Sequence, residues 1–378
     1  MSIAERMAGK RICICTGSGG VGKTTTAAAV AMGLAAQGQR VAVVTIDPAR
    51  RLASSLGLEQ LGNEPRLIEP DHFAGQGVEL RGELWAMMLD AKRTFDELID
   101  LLAPDATTRE EILSNRIYQE LSSAVAGSQE FTAVAKLYEL NASGRFDAIV
   151  LDTPPSRSAL DFLDAPQRLT GFLEGRALKV LTVPTGAAAA IAARGSGLVF
   201  SALRRVTGVD LLADLSTFFR VLSDVVEGLA ERASAVNRLL GDPATTFLIV
   251  TSPEPTPVEE AIFLRRRLRE AGMPFGGLVV NRVRMLAHTR PTIDESVLAA
   301  DLGGDLAARS IQALGDMRAL ARRDAASVRR LTVELDEHPI LVPQLDRDVS
   351  DVAGLVAVQR FLFARRSERS ALLAEQAF

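Results

Sequence analysis

Cysteine is nearly missing from this chain. Its 378 residues hold two, Cys13 and Cys15, along with three histidines, two tyrosines and one tryptophan. The cysteines are two apart in one apolar run, so on a strand they face the same way and cannot close an ordinary disulfide. They read as small core hydrophobes in a reducing compartment. No C-x-x-C pair occurs, and His72, His288 and His338 stand far apart with no ligand spacing, so no metal centre of the zinc kind is expected. Positive charge is not in excess either: Lys plus Arg is 43 against 47 for Asp plus Glu, a net charge of -4. Broad phosphate binding needs a basic face, so no nucleic acid is expected as partner. Long apolar runs are also lacking. The most apolar tract, TGAAAAIAARGSGLVF, is broken by Arg194 and falls short of the ~20 strongly apolar residues of a membrane span. The start, MSIAERMAGK, has charges on both sides of a weak apolar stretch, which is not a secretory signal. These absences point to a cytoplasmic globular protein.

What is present is an alternation of apolar runs with helical patterns, the mark of an α/β fold with a mostly parallel sheet flanked by helices. The expected strands are RICICT (11–16), RVAVVTID (40–47), ELWAMML (83–89), DAIVLD (147–152), TFLIVTS (246–252), GLVVNRV (277–283) and LTVEL (331–335). Several are apolar throughout, as strands covered on both faces should be. Residues 10–90, 143–155 and 244–366 therefore read as one core, and 91–142 and 156–243 as insertions forming an α-helical subdomain. The remainder, 367–378, reads as a tail in a frayed helix that begins near Arg365. Within the second insertion Leu215, Phe219, Leu222, Val226, Leu229, Ala233, Val236 and Leu240 recur at helical spacing. That stripe suits either the core of a helical subdomain or a groove for an apolar client. The basic cluster RRRLRE (265–270) reads as a solvated helix face.

The most specific stretch is TGSGGVGKTT (16–25). Gly17, Gly22, Lys23 and Thr24 fill G-x-x-x-x-G-K-[ST] between an apolar strand and an alanine-rich helix, the context a phosphate-binding loop requires. Across Gly17, Ser18, Gly19, Gly20, Val21, Gly22, Lys23, Thr24 and Thr25, backbone N–H groups can turn toward phosphate oxygens, with the positive helix end behind them. Lys23 is expected on the β- and γ-phosphates of ATP, and the Thr24 hydroxyl on Mg²⁺. Asp152 closes a buried strand; it suits either a water-mediated hold on Mg²⁺ or a cap on the next helix. Asp47 closes the second strand, where it either orients a water for attack on the γ-phosphate or caps the helix that follows Pro48.

Taken in order, GSGGVGKTT, TIDPARRL, LDTPPSRSALDFL, VVNRV and ILVPQLDRDV resemble the ArsA-type ATPases, related to the arsenical-pump ATPase and the guided-entry factor for tail-anchored membrane proteins. The resemblance spans about 10–365. It implies a P-loop NTPase fold and Mg²⁺-dependent ATP hydrolysis, with Asp47 in a first switch positioning water and Asp152 opening a second. It further implies that Asn281 hydrogen-bonds adenine, with the backbone around Pro343 shaping the base pocket. The implied assembly is a homodimer, or a heterodimer with a paralogous ATPase, handling a hydrophobic protein segment or a membrane partner.

Three features depart from that family. No cysteine lies outside the first strand, which speaks against thiolate binding of arsenite or zinc. Residues 156–243 contain no methionine, unlike the methionine-rich client groove of the guided-entry factor. And Ser18 stands where the family has a lysine that reaches the partner's phosphates. A nearby cation such as Arg50, Arg51 or Arg157 could substitute, a paralogue could supply the lysine, or turnover could be slow. An ATP-binding regulatory subunit that does not hydrolyse, and a partition or positioning switch, are the alternative readings.

Overall fold

Eight strands form one sheet in the order β3-β4-β2-β5-β1-β6-β7-β8 in the computed structural model. They are β1 (Ile12–Thr16), β2 (Arg40–Thr45), β3 (Arg66–Ile68), β4 (Glu83–Met88), β5 (Ala148–Asp152), β6 (Thr245–Thr251), β7 (Phe275–Val283) and β8 (Ile340–Pro343). Every pairing is parallel except that of the edge strand β3 with β4. β1, β5 and β6 are buried at every position, which is why their sequences are apolar without alternation. The structure describes residues 1–47, 51–73, 75–115, 118–119, 129–153, 228, 231–285 and 295–375. Most of the leucine-rich stripe read from 215 to 240 thus lies outside the described residues.

Two compact units divide the chain. The first comprises Met1–Met88, Leu140–Leu160 and Gly241–Phe378; the second comprises Leu89–Glu139 and Asp161–Leu240. The first holds the sheet with α1 (Ile3–Met7), α2 (Lys23–Ala36) and α3 (Arg51–Ser55). The second holds α4 (Ala91–Leu102) and α5 (Ala106–Ser114), and α6 (Gln129–Ala142) begins in it. Back in the first unit come α7 (Pro255–Glu270), α8 (Glu295–Leu302), α9 (Gly304–Leu335), α10 (Val352–Phe363) and α11 (Arg366–Glu375). In the second unit Asp90 and Asp105 cap α4 and α5 by accepting from the Arg93 and Thr108 amides. There Tyr118 stacks on Phe95 and donates to Asp96 at 2.6 Å.

In sequence order β1 is followed by β2, two places away on one side, while β6 adjoins it on the other. The direction of winding therefore reverses at β1, and the carboxyl end of β1 is the crevice where such sheets take ligands. α2 leaves from that point and lies between the sheet and α10. It is buried on almost every face, and its run of alanines lets backbone approach backbone on both sides. At Gly33 a Cβ would come within 2.1 Å of the Phe363 ring on α10.

Two expectations change. LTVEL is the last part of the 32-residue helix α9, not a strand. Its L-x-V-x-L spacing imitates strand alternation, but Leu331 and Leu335, four apart, face inward while Val333 is 79% exposed. The Thr332 hydroxyl also returns to the Val328 carbonyl at 2.9 Å, the i−4 bond a threonine makes inside a helix. The tail read as a frayed helix is α11, seated by a buried arginine. Arg369 donates from Nε to the Phe361 carbonyl and from Nη2 to the Ala364 carbonyl, each at 2.7 Å, satisfying carbonyls that α10 leaves open at its end. Burial, and then the charge of Arg6, press its guanidinium toward the neutral form, so these bonds are what keep it in place.

Replacing Arg369 with alanine should lower the unfolding free energy by about 1–3 kcal/mol, the range for losing charge-assisted bonds to buried acceptors. The exposed Arg366→Ala on the same helix is the control. Urea midpoints that match for the two variants would remove the capping role.

Candidate functional site

The loop after β1 is shaped by what surrounds it. Gly17 has φ 152°, and a Cβ there would lie 1.9 Å from the Val250 carbonyl oxygen of β6, so only glycine lets the chain leave β1 against its neighbour. Gly22 caps α2 in a left-handed conformation, φ 92°, and no side chain caps the helix. The first amides of α2 are thereby left to a ligand, and they sit at the positive end of the helix. Lys23 folds back and donates from Nζ to the Ser18 carbonyl at 2.8 Å. Burial lowers its pKa, while Asp152 and Asp47 work in the opposite direction.

Asp152, at the end of β5, is wholly buried. Its Oδ2 accepts from the Thr24 hydroxyl at 2.7 Å and the Thr45 hydroxyl at 2.8 Å. Its Oδ1 is buried with no hydrogen-bond partner. Burial pushes the carboxyl up to about 6, against the lowering influence of those two hydroxyls and of Lys23. Asp47, two residues after Thr45, donates from its amide to the Thr45 hydroxyl oxygen at 3.2 Å. Its Oδ2 stands 3.6 Å from Arg51 Nη1. Thr153 donates to the Cys15 carbonyl at 2.9 Å, tying the chain after β5 to β1.

These groups surround a cavity of about 430 Å³ whose walls include Gly20, Lys23, Thr24, Asp47, Thr153 and Arg282. A second cavity of about 150 Å³ lies against Asn281, Pro343 and Gln344, and Gly22, Thr25 and Arg282 line both. The residues singled out in the sequence thus gather at two adjoining hollows, with Asp152 behind Thr24. Asn281 is buried, and each end of its amide is already engaged. Nδ2 donates to the Val21 carbonyl at 2.9 Å, and Oδ1 accepts from the Arg282 amide at 3.0 Å. One N–H and one lone pair remain to it. Ser18 turns away from the cavity and donates to Glu260 on α7. Of the arginines considered in its place, Arg51 lines the large cavity, while Arg50 and Arg157 lie outside the described residues.

Sequence reasoning missed Thr45, Thr153, Glu260 and Arg282. Thr45 ends β2, two residues short of the strand end expected at Asp47, and pairs in register with Asp152. Glu260 left no signal, because its partner is 242 residues away.

Comparison with known proteins points to a family. The sequence profile of the anion-transporting ATPase family matches residues 10–295. "ATPase ARSA1" of Chlamydomonas reinhardtii is 27% identical over 72% of this chain and 35% of its own length. "ATPase ASNA1 homolog" of Cryptosporidium parvum is 26% identical over 71% of this chain and 63% of its own. An uncharacterized protein of Streptomyces coelicolor is 28% identical over 90% and 81%. The chain therefore spans about one third to two thirds of the length of the first two relatives. The match over most of the chain, on a parallel sheet with a glycine loop at its switch point, makes it a member of the anion-transporting ATPase family of P-loop NTPases.

Proposed function

We propose that the chain is a Mg²⁺-dependent ATP hydrolase in which Lys23 and the loop amides hold the phosphates, Thr24 and Asp152 hold the metal, and Asp47 orients the attacking water. Asp152 carries the reading: one oxygen is engaged by two hydroxyls, and the other is buried and open. A buried oxygen of that kind suits a metal-bound water, and the Thr24 hydroxyl beside it suits direct coordination. Mg²⁺, when bound, neutralises charge on the β- and γ-phosphate oxygens. Asp47 faces the same cavity, where its carboxylate can accept a hydrogen bond from water and fix its line of approach. Arg51 Nη1 stands 3.6 Å from that carboxylate. The remaining N–H and lone pair of Asn281 match the edge of adenine, and Pro343 lines the same cavity.

Asp47 and Asp152 each stand where a strand gives way to the segment that follows, so loss of the γ-phosphate would release both segments together. In this reading the second unit carries a surface for a hydrophobic protein segment or a membrane partner. Two copies, or this chain and a paralogue, form the working dimer in the cytoplasm. The engagement of Ser18 by Glu260 favours one variant of the reading: no cation stands at position 18, so turnover is slow or partner-dependent and ATP binding is itself the signal.

Asp47→Asn should lower kcat by about 10²-fold or more with ATP affinity nearly unchanged, as for loss of a group that positions water. Equal turnover in the two proteins would remove Asp47 from this role. A second expectation concerns pH. The folded carboxyl of Asp152 titrates at about 6, above the usual carboxylate range. The folded chain therefore keeps a proton that the unfolded chain releases, and this group's contribution to stability falls as pH rises from about 4 to about 6. Nucleotide-free Asp152→Asn should match wild type near pH 4.5 and exceed it by about 1–2 kcal/mol at pH 8, while Mg²⁺-dependent turnover is lost. A stability gap that does not widen with pH would refute the assignment.

A further inference from the structure

Arg282 is held in an unusual way. Among the described residues only it and Asp336 adopt positive φ without being glycine, Arg282 at 59°. Such a backbone is disfavoured for a residue with a Cβ and persists where the surroundings over-determine it. Here both flanks are clamped. On one side, Asn281 accepts the Arg282 amide and donates to the Val21 carbonyl of the loop. On the other, Asp324, fully buried in α9, accepts from the Arg284 amide at 3.1 Å and from Arg284 Nη1 at 3.0 Å. Arg323 reaches the second oxygen of Asp324 at 3.3 Å.

The clamp brings the Arg282 side chain to the rim shared by the two cavities, where Nη1 donates to the Gly20 carbonyl at 3.2 Å. That uses one of five guanidinium donors. No carboxylate among the described residues stands within ion-pair distance of it. The other cations of the larger cavity are differently engaged: Lys23 donates into the loop, and Arg51 faces Asp47. A nucleotide with its base in the smaller cavity and its terminal phosphate in the larger must pass Arg282.

We propose that Arg282 binds the phosphate chain of the nucleotide from within the same polypeptide, bringing to the loop the positive charge that Ser18 does not. The planar fork of a guanidinium suits two phosphate oxygens, and with no competing carboxylate among the described residues its charge is available to them. The inference rests on the ATP-binding reading above, and the test separates the two. Wild type, Arg282→Lys and Arg282→Gln are titrated against a fluorescent ATP analogue, with ATP, ADP and adenosine as competitors. Arg282→Gln should weaken ATP and ADP by about tenfold or more and adenosine by less than about twofold, the mark of a lost charge-assisted phosphate contact. Arg282→Lys should fall between it and wild type, and the melting temperature without nucleotide should stay within a degree or two for all three. Equal weakening of all three ligands, or none, overturns the role of Arg282. Failure of wild type to bind ATP overturns the nucleotide reading itself.

Discussion

One carboxylate oxygen organises the centre of this molecule. Asp152 Oδ2 receives hydroxyls from the first turn of α2 and the last residue of β2 while itself ending β5. Three elements far apart in sequence are thus held at one point, in surroundings where a lost partner is expensive because little water can replace it. The glycine loop, the carboxylate facing the cavity and the Thr24 hydroxyl keep their spacing because they share this point. The same burial that fixes the point pushes the carboxyl up to about 6, against the pull of the two hydroxyls and of Lys23. Positioning and the raised carboxyl are two aspects of one desolvated charge.

The rest of the core serves the approach of α2 to the sheet. Its alanines and Gly33 keep the helix close to strands on one side and to α10 on the other. α10 is in turn closed at its end by Arg369 from α11. The chain from the phosphate loop to the C-terminal helix is therefore one packing sequence, in which each layer limits how far the previous one can shift.

Much of this was legible in the residues. Six of the seven expected strands form, because buried parallel strands are apolar on both faces and stand out from amphipathic helices. β3 and β8 were missed: three and four residues are too short to show a period. LTVEL misled because a five-residue window fits both a two-residue and a four-residue repeat. At the candidate site, the loop, Asp47 and Asp152 could be singled out because a strand end beside a glycine turn is where such sheets open a crevice. Arg282 was hidden, since its importance lies in a backbone conformation and in clamps from residues 21 and 324, neither of which has a local signature. Asn281 was singled out through resemblance, yet its bond to the Val21 carbonyl comes from tertiary structure alone.

That bond has a consequence for how this site can change over generations. Gly22 has no room for a Cβ because Asn281 Nδ2 would stand 2.3 Å from it, and Asn281 holds its place because it grips the carbonyl of the residue just before Gly22. A larger residue at 22 is tolerable only if 281 shrinks, and a smaller residue at 281 leaves the loop without its grip. Neither position can drift while the other stays fixed. The wall of the smaller cavity and the turn that opens α2 therefore form one unit, and a change at 281 must be met by a change in the loop.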